Sequence, residues 1–121
     1  MDKITQEEAT KKLFQAARTG NVAGAQAAID AGADINAKGA FGQVPLHQAV
    51  WGDHSETIKL LIAKGADVNT TDNVRETPLY RAVRRGKADI IEMLEDAAKQ
   101  QGHAARVTEE RKDKGPPQVG G

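Results

Sequence analysis

Two motifs return together after 33 residues, and this double echo restricts the chain more than any other feature. Val44-Pro45-Leu46-His47-Gln48-Ala49 reappears as Thr77-Pro78-Leu79-Tyr80-Arg81-Ala82, and Gly32-Ala33-Asp34-Ile35-Asn36 reappears as Gly65-Ala66-Asp67-Val68-Asn69. A fixed period of this length marks a stack of similar units, each burying its apolar face only against its neighbours. The columns between units then carry the fold, and function is left to the exposed surface.

In register, the sequence falls into units 6–38, 39–71 and 72–104. Leu13/Leu46/Leu79, Ala16/Ala49/Ala82 and Ala17/Val50/Val83 form one set of columns; Ala25/Ile58/Ile91, Ala27/Leu60/Met93 and Ala28/Leu61/Leu94 form another. Apolar residues spaced i, i+3, i+4 within each set predict two short helices per unit. Thr77 before Pro78 predicts a helix start, with a hydroxyl cap and a proline where no N–H is required. Thr5 with Glu8 predicts a capping box. Gly20 and Gly86 mark the ends of first helices, Gly32 and Gly65 the ends of second helices, because a left-handed residue is least costly as glycine. Asp53 occupies the Gly20/Gly86 column, so it must either adopt or avoid that geometry.

The ends of the chain differ from the repeats. The third unit lacks a second Gly-Ala-Asp, so its last helix is expected to run on to Gly102. The Ile29/Ile62/Glu95 column turns charged there, which suits a terminal unit with a polar outer face. The repeat domain is therefore placed at residues 1–102. Residues 103–121 carry mixed charge and then a Gly-Pro-rich end without apolar period, and are expected to form a disordered tail.

The chain has 121 residues, with 17 basic and 17 acidic side chains and no cysteine. Zero net charge argues against a general nucleic-acid binder, and the lack of Cys excludes disulfides and thiolate metal sites. No apolar run reaches the roughly 18 residues of a membrane span, and the polar start is unlike a secretory signal. A soluble, cytoplasmic, monomeric protein is expected.

The quoted motifs resemble the ankyrin repeat, with its T-P-L-H-x-A and G-A-D-(V/I)-N signatures, over about residues 10–102. The resemblance implies an all-α solenoid of about three helix-turn-helix units joined by short β-hairpins, with a concave surface of first-helix faces and hairpin tips that binds other proteins. There are departures. Unit 1 has Lys12, Leu13 and Phe14 where the Pro and His would fall. Val44 replaces the capping Thr of unit 2, a loss of about 1 kcal/mol. Arg75 stands where unit 2 has Gly42, so the third hairpin is expected to be distorted or strained. Unit 1 also fills three apolar columns with Ala25, Ala27 and Ala28, which makes its helices the expected weak end of the stack.

Carried over column by column, the family's binding face falls on Arg18, Trp51 and Arg84, with Arg85 beside them. Its tips carry Phe41, Gln43, Asn73 and Val74. Trp51 is the only tryptophan, and Trp and Arg are the residue types that dominate interface hot spots. Two readings stand for Trp51: partner contact, or a ring sandwiched by arginine stems that only stabilises the stack. Phe41 is similarly open between an anchor and packing on the adjacent hairpin. Arg75, Arg81, Arg84, Arg85 and Lys87 against Glu76 alone predict an electropositive groove, either simply solvated or suited to an acidic protein surface.

Signals for catalysis are missing from the sequence. His47 fills the slot that the family uses for inter-repeat hydrogen bonds, and His54 and His103 lack metal-ligand spacing. No phosphate loop or nucleophile elbow appears. The expected function is a non-enzymatic protein-binding module without cofactor or metal, with no nucleic-acid or membrane partner. Two alternatives share the scaffold: an exported effector, or an inhibitor or escort of a bacterial enzyme, with the charged tail as a signal; and a structural unit that self-associates through its ends.

Overall fold

A computed structural model of the chain describes residues 4–102. Six helices run in pairs: α1 (Gln6–Thr19) and α2 (Val22–Asp30), α3 (Pro45–Trp51) and α4 (Ser55–Ala63), α5 (Pro78–Arg85) and α6 (Ala88–Gln100). Each pair packs on the next, α1 on α3 on α5 and α2 on α4 on α6. The tail and the charged end predicted for residues 103–121 lie outside the described residues.

Local chemistry sets the helix starts. Thr5 and Glu8 form the capping box at 3.1 and 3.2 Å, and the Thr77 hydroxyl accepts the Tyr80 N–H. Asn21, whose role the sequence pattern did not reveal, caps α2 by accepting the Gly24 N–H at 2.9 Å. Val44 has no hydroxyl to offer, and α3 lacks the side-chain cap. Its own N–H is instead taken by Nδ1 of His47 at 3.1 Å, so half of a box survives.

The helix ends follow the left-handed column. Gly20 and Gly86 have φ of 75° and 68°, and Asp53 adopts the same geometry at 61°. Aspartate tolerates this region better than most residues, and its carboxylate gains two cationic partners there. Arg75 sits at φ 66° beside its column mate Gly42 at 72°, as the strained third hairpin required. Arg75→Gly should therefore raise stability by about 0.5–1 kcal/mol, the relief of a left-handed non-glycine less the entropy of a freer unfolded chain. Urea denaturation checks this, and no change in midpoint would mean that the turn holds no strain.

Strands are not formed by the connections among the described residues. The arms of each tip are joined by a backbone bond, Gly39 N–H to Gln43 O at 2.8 Å and Asp72 N–H to Glu76 O at 3.0 Å, around a tight turn with its own bonds, Gly42 N–H to Gly39 O at 3.1 Å and Arg75 N–H to Asp72 O at 3.0 Å. These loops are turns without a strand ladder, where short β-hairpins were expected. Neighbouring tips are tied together: the Asn73 N–H donates to Phe41 O at 3.0 Å, and Lys38 reaches Thr71 O. Lower in the stack, Asn36 accepts the Asp67 N–H at 2.9 Å. Gln101 accepts the Val68 N–H at 3.2 Å and donates to Ala66 O at 2.8 Å.

Leu13, Leu46, Ala17, Val50, Ala25, Ile58, Leu61, Ile90 and Leu94 lie in one continuous buried cluster. Two columns depart most from the sequence reading, while Leu79 and Ile91, the third-unit members of two others, are half-buried. Ala27 is exposed while Leu60 and Met93 are only half-buried; Thr57 and Ile90, one helical turn earlier, are buried instead. A run such as Ala25–Ala28 presents almost the same side chain on every face, so periodicity cannot choose among its faces. The other departure is Val83, 55% exposed where Ala17 and Val50 are sealed, because no described unit follows it.

The stability gradient now rests on two columns instead of three. Helix α2 buries only Ala25 and Ala28, whereas α4 buries Thr57, Ile58 and Leu61. Less apolar area removed from water means a smaller free energy of local opening. Amide exchange should be faster in residues 22–30 than in 55–63, and equal protection would remove the basis for a weak N-terminal end.

Candidate functional site: the concave face around Trp51

The site begins with a buried carboxylate. Asp72 turns the third tip by accepting the N–H groups of Val74 at 3.0 Å and Glu76 at 2.9 Å. Burial alone would raise its pKa, but these backbone donors, with nearby positive charge, outweigh that and hold the carboxyl below its ordinary range. The other Asp72 oxygen lies 3.6 Å from the Arg81 guanidinium, which also donates to Glu76 at 3.3 Å. Arg81 is thereby fixed across the groove, and its guanidinium carbon stands 4.0 Å from the centre of the Trp51 ring.

Trp51 is thus held from one side and open on another: it remains 46% exposed. One arginine, Arg81, covers the ring where the stabilising reading expected a sandwich of arginine stems, and solvent still reaches the rest of it. Trp51, Glu76, Tyr80, Arg81, Arg84 and Arg85 line an open depression of about 300 Å3. A larger hollow of about 470 Å3 lies at the N-terminal end, walled by Ile4, Lys12, Gln15, Thr19, Asn21 and by alanines and a glycine of α1 and α2. It has no aromatic ring, and it is the place where a preceding unit would stack.

The charge of the groove differs from the sequence expectation. The Arg81 side chain is only 14% exposed and is engaged by Asp72 and Glu76. Arg85 and Lys87 both reach Asp53 of the preceding unit, at 3.1 and 3.4 Å. Burial would raise the Asp53 pKa, but these two partners pull it below the ordinary value. Three carboxylates therefore offset what looked like five charges against one. Arg84 makes no ion pair among the described residues: it donates to the Tyr80 hydroxyl at 3.2 Å with its guanidinium 5.8 Å from that ring's centre, and the Glu76 carboxylate acts on it from beyond ion-pair distance.

The remaining predicted residues are spread around this centre. Arg18 is exposed on α1, and its carbonyl is bonded at 3.0 Å by His54 Nε2. Glycine makes room for that imidazole, since a Cβ on Gly20 or Gly52 would come within 2.5 Å or 2.4 Å of it. Gln43 is half-buried and bonded to the Gln48 side chain. Asn73 is exposed and spends its backbone N–H on the neighbouring tip. Phe41 and Val74, 75% and 69% exposed, stand at the tips without cover. The packed-hairpin reading of Phe41 is thereby excluded. Its φ of 60° is unexpected, because its column mate Val74 closes the same kind of turn without a positive φ. Turning the Phe41 carbonyl onto Asn73 accounts for the geometry.

His47 is fully buried and joins units 2 and 3. Its Nδ1 accepts from Val44, so Nε2 carries the proton and donates to Glu76 O at 3.0 Å. Burial pushes its pKa down despite the Glu76 carbonyl and Asp72, which favour the charged form. The unfolded chain then binds more protons than the folded one below about pH 6.5, so stability falls as pH drops through that value. Asp53 and Asp72, with lowered pKa values, act only below about pH 4. Thermal unfolding should show a loss of stability between pH 7.5 and 5.5 that is absent in His47→Gln; an equal loss in both would remove His47 as its source.

Among the described residues no group of three or more His, Asp or Glu is placed to hold a metal ion, and no helix is long and apolar enough to cross a membrane. Residues 13–104 match the family described as ankyrin repeats, in three copies. The chain belongs to the ankyrin repeat family. No curated protein matches it. Ankyrin repeats generally mediate protein–protein interaction, and the paired helices, turns and buried columns described above are the repeat as this chain builds it.

Proposed function

We propose that this ankyrin repeat protein is a non-enzymatic binding module that docks a protein partner on its concave face. Trp51 is the anchor, Arg81, Arg84 and Arg85 line the same depression, Arg18 stands one unit away in the Trp51 column, and the tips carrying Phe41, Gln43, Asn73 and Val74 extend the contact. The observation that carries this reading is the seating of Trp51: a large ring fixed by Arg81, half open, beside a second exposed ring, Tyr80. A ring that is already ordered costs a partner little conformational entropy on contact. Proteins captured by the wild type should be lost with Trp51→Ala combined with Arg84→Ala. An unchanged captured set would show that docking takes place elsewhere.

A second reading, self-association through the ends, draws on the exposed Val83. Light scattering across a dilution series distinguishes it; we expect a monomer throughout, and a mass rising with concentration would favour the second reading.

A further inference from the structure

The charges that remain after internal pairing define a narrower partner. Arg81, Arg85 and Lys87 already face Asp53, Asp72 and Glu76. Among the described residues, Arg75 at the third tip, Arg84 on α5 and Arg18 on α1 have no carboxylate within ion-pair distance, though Glu76 acts on Arg84 from farther off; Arg84 and Arg18 lie one unit to either side of Trp51 in the same column. Arg84 is also steadied, because the Tyr80 hydroxyl takes one of its N–H groups. A guanidinium has five donors in a planar fork, so donors remain for a carboxylate beside the exposed rings.

Charge on the far side of the unit supports the same orientation. Helix α5 carries Arg81, Arg84 and Arg85 and no acid, while α6 exposes Asp89, Glu92, Glu95 and Asp96 against Lys99 alone. A chain of zero formal charge is thus divided within its last unit, cationic on the first helix and anionic on the second. A negatively charged partner is repelled from α6 and drawn to the α5 side, which steers its approach.

We infer that the depression takes an acidic–apolar protein segment, with an apolar side chain set on the open part of Trp51 and an adjacent carboxylate on Arg84. This rests on the concave face being the docking surface. A polyanion such as a nucleic acid strand fits less well, since its closely spaced phosphates would meet the partly exposed Asp53 and Glu76 as well as the unpaired arginines. A basic segment would leave Arg84 facing a like charge.

The full-length protein can be screened against a randomised peptide array, with selected peptides measured in solution through the emission of the single tryptophan, Trp51. Selected sequences should be enriched in Asp or Glu beside a large apolar residue. Their affinity should fall at least about tenfold with Arg84→Glu, an exposed position whose only side-chain bond is to Tyr80, and weaken as salt screens the pair. Arg84→Lys should recover part of the loss. Selection of basic or charge-neutral peptides, no selection at all, indifference to Arg84→Glu, or an oligothymidylate strand binding as tightly as the best peptide would each overturn the inference. Where some ligand does bind, Trp51→Ala, followed by calorimetry because that variant has no tryptophan left to report, separates the two levels; no selection at all counts against both. If binding of the selected ligand still depends on Trp51, the docking face stands and only the acidic partner is wrong; if it does not, both fall.

Discussion

Asp72→Ala is expected to destabilise the protein by about 3–5 kcal/mol, as when one member of a buried ion pair is removed. The carboxylate is buried and serves three groups at once: the N–H groups of Val74 and Glu76 and the guanidinium of Arg81. Deleting it leaves two backbone donors without their acceptor and Arg81 with Glu76 alone, while Arg81 Nε is already buried without a partner. The effect should reach function as well. Arg81 is the cover of Trp51, so its release frees the ring and shifts the Trp51 emission. Asp72→Asn, which keeps an oxygen for the backbone but loses the charge, should cost clearly less and separate the turn from the ion pair. Denaturant unfolding followed by fluorescence and circular dichroism provides both readouts. A loss under 1 kcal/mol for Asp72→Ala would mean that water replaces the carboxylate without cost and that Trp51 is not seated through it.

The fold was legible in the sequence because the residues that build it repeat. Leu13, Leu46 and Leu79 share a column, and Thr77-Pro78 and Gly86 mark the two ends of α5 by rules that act within a few residues. The site was only half legible. Trp51 and Arg84 could be placed on one face by column counting, but the groove's charge could not be counted along a window from 75 to 87. Two of its three acids come from outside that window: Asp72 turns the third tip just before it, and Asp53 reaches Arg85 from a position 32 residues earlier. The signal for Asp72 was available, since Asp34 and Asp67 each accept the N–H two residues on, and Asp72 does the same at the tip. His54 had a fainter signal: glycines at 20 and 52 leave space that only the packing of unit 1 against unit 2 assigns to an imidazole. The left-handed Phe41 had none, because its carbonyl is turned by a bond to the next tip, a contact that no local propensity encodes.

The same column logic yields the sharpest test of the stack. Leu46→Ala should destabilise the protein by about 3–5 kcal/mol, near the top of the range for a buried leucine, while Leu79→Ala at the equivalent place should cost about 1–2 kcal/mol. Leu46 is completely buried in the central unit, with α1 and α5 packed on either side of its helix. The void left by truncation there is walled on both sides and cannot close by the movement of one neighbour. Leu79 is only half-buried on α5, and no described unit covers its outer side, so solvent and small shifts can fill the space. Sequence gives these two leucines the same slot in the same motif; only their position in the stack separates them. Urea unfolding of both variants measures the difference. A domain of this size has a total stability of about 5–15 kcal/mol, so the central substitution removes a large part of it and the terminal one does not. Equal losses at the two positions would mean that the third unit is covered in solution, by another segment or another copy, and that the exposed Val83 beside Leu79 is not open to water.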